Sequence, residues 1–261
     1  MNLTENLKEQ YVAFLDVMGF SDLVNKRNIK RLESYFDRIQ EVLISIGTTK
    51  KSIQSFLISD SIILIAPGTK TDFENLVVAI RRIQSSLLWK KILLRGAVSY
   101  GEVYYENQRN IIVGKGFIKA YLLEKEAVFP RVIIDPIIIK NFGKTKMDFL
   151  DKFESLPFYY NFEKRLFYSK SEFSKINDDA IFIDYANKVI KETLNGNLKL
   201  LYETIVENLY SDQKLFTKYI WLRDYFLECL QKTAVYLNED KKTTTSYKAK
   251  LDAWIHLFQE L

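Results

Sequence analysis

Two aspartates stand where a carboxylate is costly. Asp16 lies near the end of the apolar run YVAFLDVM, residues 11–18, whose other members belong in a core. A buried carboxylate needs compensation; taken alone, Asp16 also reads as a residue at a strand's open end that caps the backbone after it. Asp60 lies in Ser59-Asp60-Ser61, between two short apolar runs, where Asp is common because its side chain accepts local backbone hydrogen bonds. If the two runs are neighbouring strands of one sheet, both carboxylates come together, and their repulsion makes sense with a divalent cation between them. Oxygen-only ligands, in a chain with one His and one Cys, point to Mg²⁺ or Mn²⁺ rather than zinc.

Directly after Asp16 come Val17, Met18, Gly19, Phe20 and Ser21, a strand-to-helix turn. Its glycine permits close backbone approach, and its amides can face a phosphate at a helix N-terminus. Beside two metal carboxylates this becomes a coherent triphosphate site. Triads based on histidine would have to use His256, which sits in an apolar C-terminal pattern and reads instead as a packing or solvent-facing residue.

The elements that must position these residues follow from periodicity. Residues 11–18 read as a buried strand ending at Gly19. Leu32, Tyr35, Phe36, Ile39, Val42, Leu43 and Ile46 recur every three or four residues, predicting a helix over 28–46 ended by Gly47. Residues 52–68 read as a hairpin with its tip at Ser59-Asp60-Ser61, 72–89 as a helix, 91–106 as strand, 116–126 as a helix and RVIID as a strand. This alternation predicts an α/β (α+β) fold, a mixed sheet flanked by helices. From about 137 the pattern turns polar-aromatic, with one strand at 180–185 that would add to a sheet edge. Three helices follow, marked by Leu201, Ile205 and Leu209, by 215–236 and by 246–260. Asn195-Gly196 breaks the chain ahead of them, dividing it into 1–195 and a helical region 196–261, and KTTT at 242–245 reads as a loop. The aromatics of that region, Trp221 and Trp254 among them, recur at helical spacing and read as core or dimer packing.

Composition narrows the function classes. Of 261 residues, 38 are Lys or Arg and 33 Asp or Glu, a net +5 spread over the whole length. Such a balance lacks the concentrated basic face of a nucleic-acid binder. Lys26, Arg27, Lys30 and Arg31 read as a solvated helix face. Charges interrupt every apolar stretch short of the roughly 20 residues that span a membrane, and the first ten residues are too polar for a signal peptide. A single Cys229 forms no internal disulfide. Cytoplasmic residence, with no membrane or nucleic-acid partner, is the expectation.

Four segments, in order across 11–135, resemble the class III nucleotidyl cyclase catalytic domain. YVAFLDVMGFSDLV is similar to its first metal motif through Phe14, Asp16, Gly19, Phe20 and Ser21. SFLISDSIILI is similar to the second through Asp60, with Ser59 where glycine is usual. LLRGAVSYGEV resembles a conserved strand and turn of that family, and VGKGFIKAYLLE its dimer-interface helix through Gly114, Ala120, Leu123 and Glu124. The resemblance implies a ferredoxin-like, class III cyclase-like mixed sheet. It also implies a homodimer with composite sites and two Mg²⁺ or Mn²⁺ ions held by Asp16, Asp60 and the Val17 carbonyl.

Departures are informative. The family's transition-state Asn and Arg fall at Ile118 and Leu122, leaving Lys115, Lys119 or Arg131 as replacement cations. The base-selecting positions fall near Gln54 and Ile111, matching neither the adenine nor the guanine pattern. RGAVSYGE, PRVIID, the acidic-tyrosine segment at 178–185 and KYIWLRDY at 218–225 resemble the pyrimidine cyclases of bacterial Pycsar antiphage systems. That resemblance implies conversion of UTP, favoured over CTP, to a 3′,5′-cyclic monophosphate that signals to a cyclic-nucleotide-responsive effector. The alternatives are a catalytically silent cyclase-like sensor or dimerisation module and, more remotely, a palm-type polymerase or dinucleotide cyclase.

Overall fold

The computed structural model describes residues 6–153, 166–168, 180–193, 198–239 and 245–261. The break at Asn195-Gly196, Asp178, Asp179 and most of the 242–245 segment lie outside the described residues.

Strand β1 (Lys8–Val17) is buried from Gln10 through Leu15, as an unbroken apolar run requires of a central strand. A turn leads to the short helix α1 (Phe20–Asn25) and then α2 (Ile29–Thr49), N-capped by Asn28, whose side chain accepts from the Arg31 amide at 3.3 Å. Tyr35, Ile39, Val42 and Ile46 form its buried stripe. The helix runs through Gly47, where its end was predicted. The Thr48 and Thr49 hydroxyls donate to the Ser45 carbonyl and the Lys50 amide to that of Ile46, so the last turn is closed without a glycine terminus.

The predicted hairpin is β2 (Gln54–Ile58) and β3 (Ser61–Pro67). Helix α3 (Lys70–Leu88) follows, capped by the Thr69 hydroxyl. Then come the long strand β4 (Leu94–Glu106), the short β5 (Ile111–Val113) and helix α4 (Lys115–Glu124). Gly114, φ +144, enters α4 against the Glu102 carbonyl, an approach that leaves no room for a Cβ. Strand β6 (Val132–Ile134) precedes α5 (Pro136–Phe142) and α6 (Lys146–Phe153), two helices the polar-aromatic pattern had concealed. Their aromatics serve the core: Phe142, Phe149 and Phe153 pack around Phe73 of α3. Strands β7 (Leu166–Tyr168) and β8 (Ile181–Ile183) end the sheet, and α7 (Ala186–Thr193), α8 (Leu198–Leu209), α9 (Gln213–Glu239) and α10 (Thr245–Gln259) complete the chain.

The strand order is β2-β3-β1-β4-β6-β8-β7, with β5 pairing the far end of β4. Only β4 and β6 run parallel among the described pairs. The sequence expectation of an edge strand at 180–185 is corrected: β8 is interior, between β6 and β7, which fits its fully buried side chains. Helices α2, α3, α5 and α6 cover one face of the sheet. On the other face α4 covers the β1–β3 half, while the C-terminal helices cover the β4–β6–β8 half.

No separate hydrophobic core divides the C-terminal helices from the sheet. Trp221, Tyr225 and Phe226 of α9 pack with Ala97, Ile133 and Phe182 in one cluster, where each fully buried large apolar side chain contributes roughly 1.5–3 kcal/mol. A buried polar knot fixes the register. The Tyr225 hydroxyl donates to Asp184 Oδ1 at 2.6 Å and accepts from the Tyr185 and Ala186 amides at 3.1 Å. Among the described residues no helix is long and apolar enough to cross a membrane.

Candidate active site

Register decides what meets Asp16. Its Cα pairs with Ser61 of β3 on one side and Arg95 of β4 on the other. Asp60, one residue ahead of Ser61, therefore reaches the same end of the sheet. Paired residues of an antiparallel ladder share a face, so Arg95 lies beside Asp16, with its Nη2 and Nε at 3.2 and 3.3 Å from Asp16 Oδ2. Helix α4 runs back along β4, burying Ala120 against β1 and carrying Glu124 to the same arginine. Arg95 Nε stands 2.6 Å from Glu124 Oε1, a contact made by charge more than by alignment, since that oxygen has no well-directed hydrogen bond.

One guanidinium thus serves two carboxylates, with a third close by. Burial pushes the Asp16 carboxyl above its ordinary value; Arg95 opposes the shift and Asp60 adds to it. Glu124 is likewise raised, first by burial, against Arg95 and with Asp16 and Asp60. The Tyr35 hydroxyl, fully buried and without a hydrogen-bond partner among the described residues, is pushed upward by burial, then by Asp60 and Asp16. This excess of negative charge in a partly desolvated pocket fits a hard divalent cation. Among the described residues no three His, Cys, Asp or Glu side chains suffice to hold a metal alone. A cation at Asp16 and Asp60 would take its other ligands from main-chain carbonyl, water or substrate oxygens.

The turn after Asp16 has the predicted form. Gly19, φ +77 and exposed, faces open space, and the Met18 amide donates to the Leu93 carbonyl at 2.9 Å. Phe20 is buried, edge-on to Tyr35, and Ser21 is exposed. At the hairpin tip Ser59 has φ +58, the left-handed region that favours glycine.

The remaining sequence candidates lie elsewhere. Gln54 pairs with Ile65, four residues along the hairpin from the Ser61 pairing and so roughly 13 Å away at ~3.3 Å per residue. Its Oε1 accepts from Asn107 at 3.0 Å, and Ile111 follows on β5. Lys115 is exposed at the start of α4, its Nζ 4.0 Å from Glu102. Lys119 is midway, ion-paired at 2.9 Å with Asp135, which also accepts from Ser99 and caps α5. Arg131 sits on the same sheet face as Arg95 but is fully buried, its guanidinium against Phe129, Phe182 and Trp221. Within one chain the structure joins Asp16, Val17, Asp60 and Gly19–Ser21, and leaves Gln54, Ile111 and Lys115 at the opposite end.

Four residues of the site had no assigned role from sequence: Arg95, Glu124, Tyr35 and Lys218. Arg95 carried a signal, a charge inside an apolar and small-residue strand, and Glu124 was part of a quoted motif. Lys218 had none. It reaches the site because Lys218, Trp221, Leu222 and Tyr225 share one face of α9; burial and Arg95 push its ammonium downward while Asp16 opposes. Of the basic run expected to be solvated, Arg27 and Lys30 are exposed, but Arg31 is half-buried, its Nη2 donating to the Lys91 carbonyl at 2.6 Å.

No family model and no curated protein matches the sequence. Among solved structures, the adenylyl cyclase CyaB from P. aeruginosa is similar over 52% of this chain and 82% of its own, at 16% identity and a TM-score of 0.41. The guanylyl cyclase Cya2 is similar over 67% and 90%, at 14% and 0.44. The guanylate cyclase domain of RhGC from Catenaria anguillulae in complex with GTP is similar over 52% and 83%, at 14% and 0.41.

Proposed function

We propose that the chain is a nucleotidyl cyclase, converting a pyrimidine nucleoside triphosphate, UTP before CTP, to its 3′,5′-cyclic monophosphate and pyrophosphate. The observation that carries this reading is the convergence of Asp16 and Asp60 at one end of two paired strands, beside the glycine turn, with Arg95 between Asp16 and Glu124. In the reaction the ribose 3′-oxygen loses its proton and bonds to the α-phosphorus, while the bond from that phosphorus to the bridging oxygen breaks and pyrophosphate departs. Asp16, Asp60 and the Val17 carbonyl would hold two Mg²⁺ or Mn²⁺ ions. When bound, these ions make the hydroxyl more acidic and stabilise charge on the phosphates.

The chain's own groups do the rest. Arg95 holds Asp16 through Oδ2 alone, so Oδ1 is the oxygen that would serve a ligand. The backbone of Gly19, Phe20 and Ser21 accommodates phosphates at an open turn. Gln54 offers both a donor and an acceptor to a uracil or cytosine edge, and Ile111 is the second base-selecting position. Because Gln54 is remote from Asp60 in one chain, the reading requires a homodimer in which one protomer supplies the carboxylates and its partner the base contact. Lys115, Lys119 or Arg131 remains the counterpart of the family's arginine, and Arg131 would have to leave its aromatic cage to serve. The product would act on a downstream cyclic-nucleotide-responsive effector in antiphage signalling, in the cytoplasm, with residues 1–195 as catalytic domain and 196–261 as helical extension.

A second reading, a silent nucleotide-sensing or dimerisation module, is favoured by one observation: Ile118 and Leu122, each 55% exposed, put hydrocarbon where a transition-state donor is expected. Incubation with ATP, GTP, CTP and UTP plus Mn²⁺, with products identified by mass beside an Asp60→Asn control, separates the two. A cyclic pyrimidine monophosphate absent from the control is expected. No product from any nucleotide leaves the silent module.

A further inference from the structure

A cavity of about 520 Å³ opens against the turn that follows Asp16, within the size range of ligand pockets. Val17, Met18 and Gly19 form one wall and the start of α9 the other, so it exists only because the C-terminal helices are docked there. Four cations line it, Lys26, Arg31, Lys91 and Lys218, against one carboxylate, Asp212. Lys91 is held by Glu207 at 2.8 Å, and Arg31 by the Lys91 carbonyl. Among the described residues neither Lys26 nor Lys218 has an ion-pair partner within 4.0 Å. A part-buried basic cluster with more cations than carboxylates is a site for a polyanion.

Lys218 joins this cavity to the carboxylates. It lines the cavity, yet it lies within the electrostatic reach of Asp16 and Arg95. Its position is set from behind. Trp221, one turn later on α9, stacks on Phe129 with ring centroids 5.4 Å apart and interplanar angle 9°, and Tyr225, a further turn on, is tied to Asp184. Two anchors on one helix face therefore hold the lysine at the open end of the sheet.

We propose that the C-terminal helices complete the active site in cis: Lys218, with Lys26, Arg31 and Lys91, takes the terminal phosphates of the triphosphate whose α-phosphate lies at Asp16 and Asp60. This rests on the reading of that end as a nucleoside triphosphate site. It gives α9 a substrate-contacting role and supplies positive charge from the same chain that carries the carboxylates, where Ile118 and Leu122 offer none.

The test is calorimetric titration of the full-length protein with inorganic tripolyphosphate, alongside steady-state cyclisation. Wild type is expected to bind, with an affinity that falls as salt rises. Lys218→Met is expected to weaken binding about tenfold and raise KM similarly, with Lys218→Arg restoring most of both. Lys26→Met, at an exposed position that folding does not need, is expected to weaken binding severalfold. Failure of wild type to bind tripolyphosphate, or wild-type affinity in both Lys218→Met and Lys26→Met, overturns the proposal. Binding that is lost in these variants while no nucleotide is cyclised upholds the phosphate pocket and sinks the cyclase reading alone. Normal turnover with an unchanged KM in Lys218→Met does the reverse.

Discussion

The two ends of the β1–β3 ladder are built on different principles. At the Asp16 end, three carboxylates, one arginine and a helix-borne lysine are gathered from β1, the hairpin tip, β4, α4 and α9. Charges there are partly desolvated and shift one another. At the Gln54 end the groups are exposed or half-exposed: Gln54 is held by a hydrogen bond from Asn107, Ile111 pairs with Glu106 and Lys115 lies 4.0 Å from Glu102. One end gathers its charges within a chain; the other leaves its polar groups exposed, free to meet a second protomer under the proposed reading. Electrostatic chemistry needs preorganised charge, which only a core can hold still. In the proposed reading, base recognition falls to that exposed polar edge, laid against a second protomer.

That contrast can be broken most severely at the carboxylates. Asp16→Asn or Asp60→Asn is expected to reduce cyclic product by about 100-fold or more, measured by mass. At the opposite end Gln54→Arg, which puts a guanidinium where the proposed reading has an amide meet the base, should lower turnover about tenfold while the melting temperature stays put. Mixing these variants sharpens the comparison. If the ends act across a dimer, random pairing of Asp60→Asn with Gln54→Arg leaves half the dimers with one intact site of two, so activity should recover to about a quarter of wild type. No recovery would mean that both ends act within one chain.

Stability supplies smaller effects of the same origin. Mn²⁺ at about 100 times its dissociation constant should stabilise the protein by about 2.7 kcal/mol, read as a rise in melting temperature that Asp16→Asn and Asp60→Asn lack. Glu124 gives the smallest effect. Its carboxyl is raised above 4.5 in the fold, chiefly by burial, so the native state holds a proton that the unfolded chain releases. In metal-free protein, stability should therefore fall as pH rises from about 4.5 through the folded value and level off above it. Glu124→Gln should lack that part of the slope in melting measured from about pH 4 to about pH 7. An identical slope in the variant would show that Glu124 remains ionised throughout.

Much of the candidate site could be read along the chain because its segments are local. The apolar run that ends at Asp16, the hairpin tip at Asp60 and the turn at Gly19 are each short, and period-two and period-three-to-four patterns place them on strand, turn and helix. Helices α5 and α6 were hidden because their pattern is aromatic and polar, and its logic appears only when Phe142, Phe149 and Phe153 meet Phe73. The interior place of β8 was hidden for the same reason, since pairing order is not written in a strand's own residues.

Residue types and short spacings alone determined which groups are available: two carboxylates in apolar settings, a glycine turn, hydrocarbon at 118 and 122, and too little histidine and cysteine for a zinc site. Only tertiary structure decided which groups meet. Arg95 faces Asp16 through strand register, Arg131 just ahead of the next strand is caged by aromatics, and Lys218, some two hundred residues from Asp16, arrives because a helix is anchored over the sheet by Trp221 and Tyr225. Periodicity is a property of neighbours along the chain; the meeting of distant charges is a property of packing, where burial and register choose among partners that the sequence leaves equally possible.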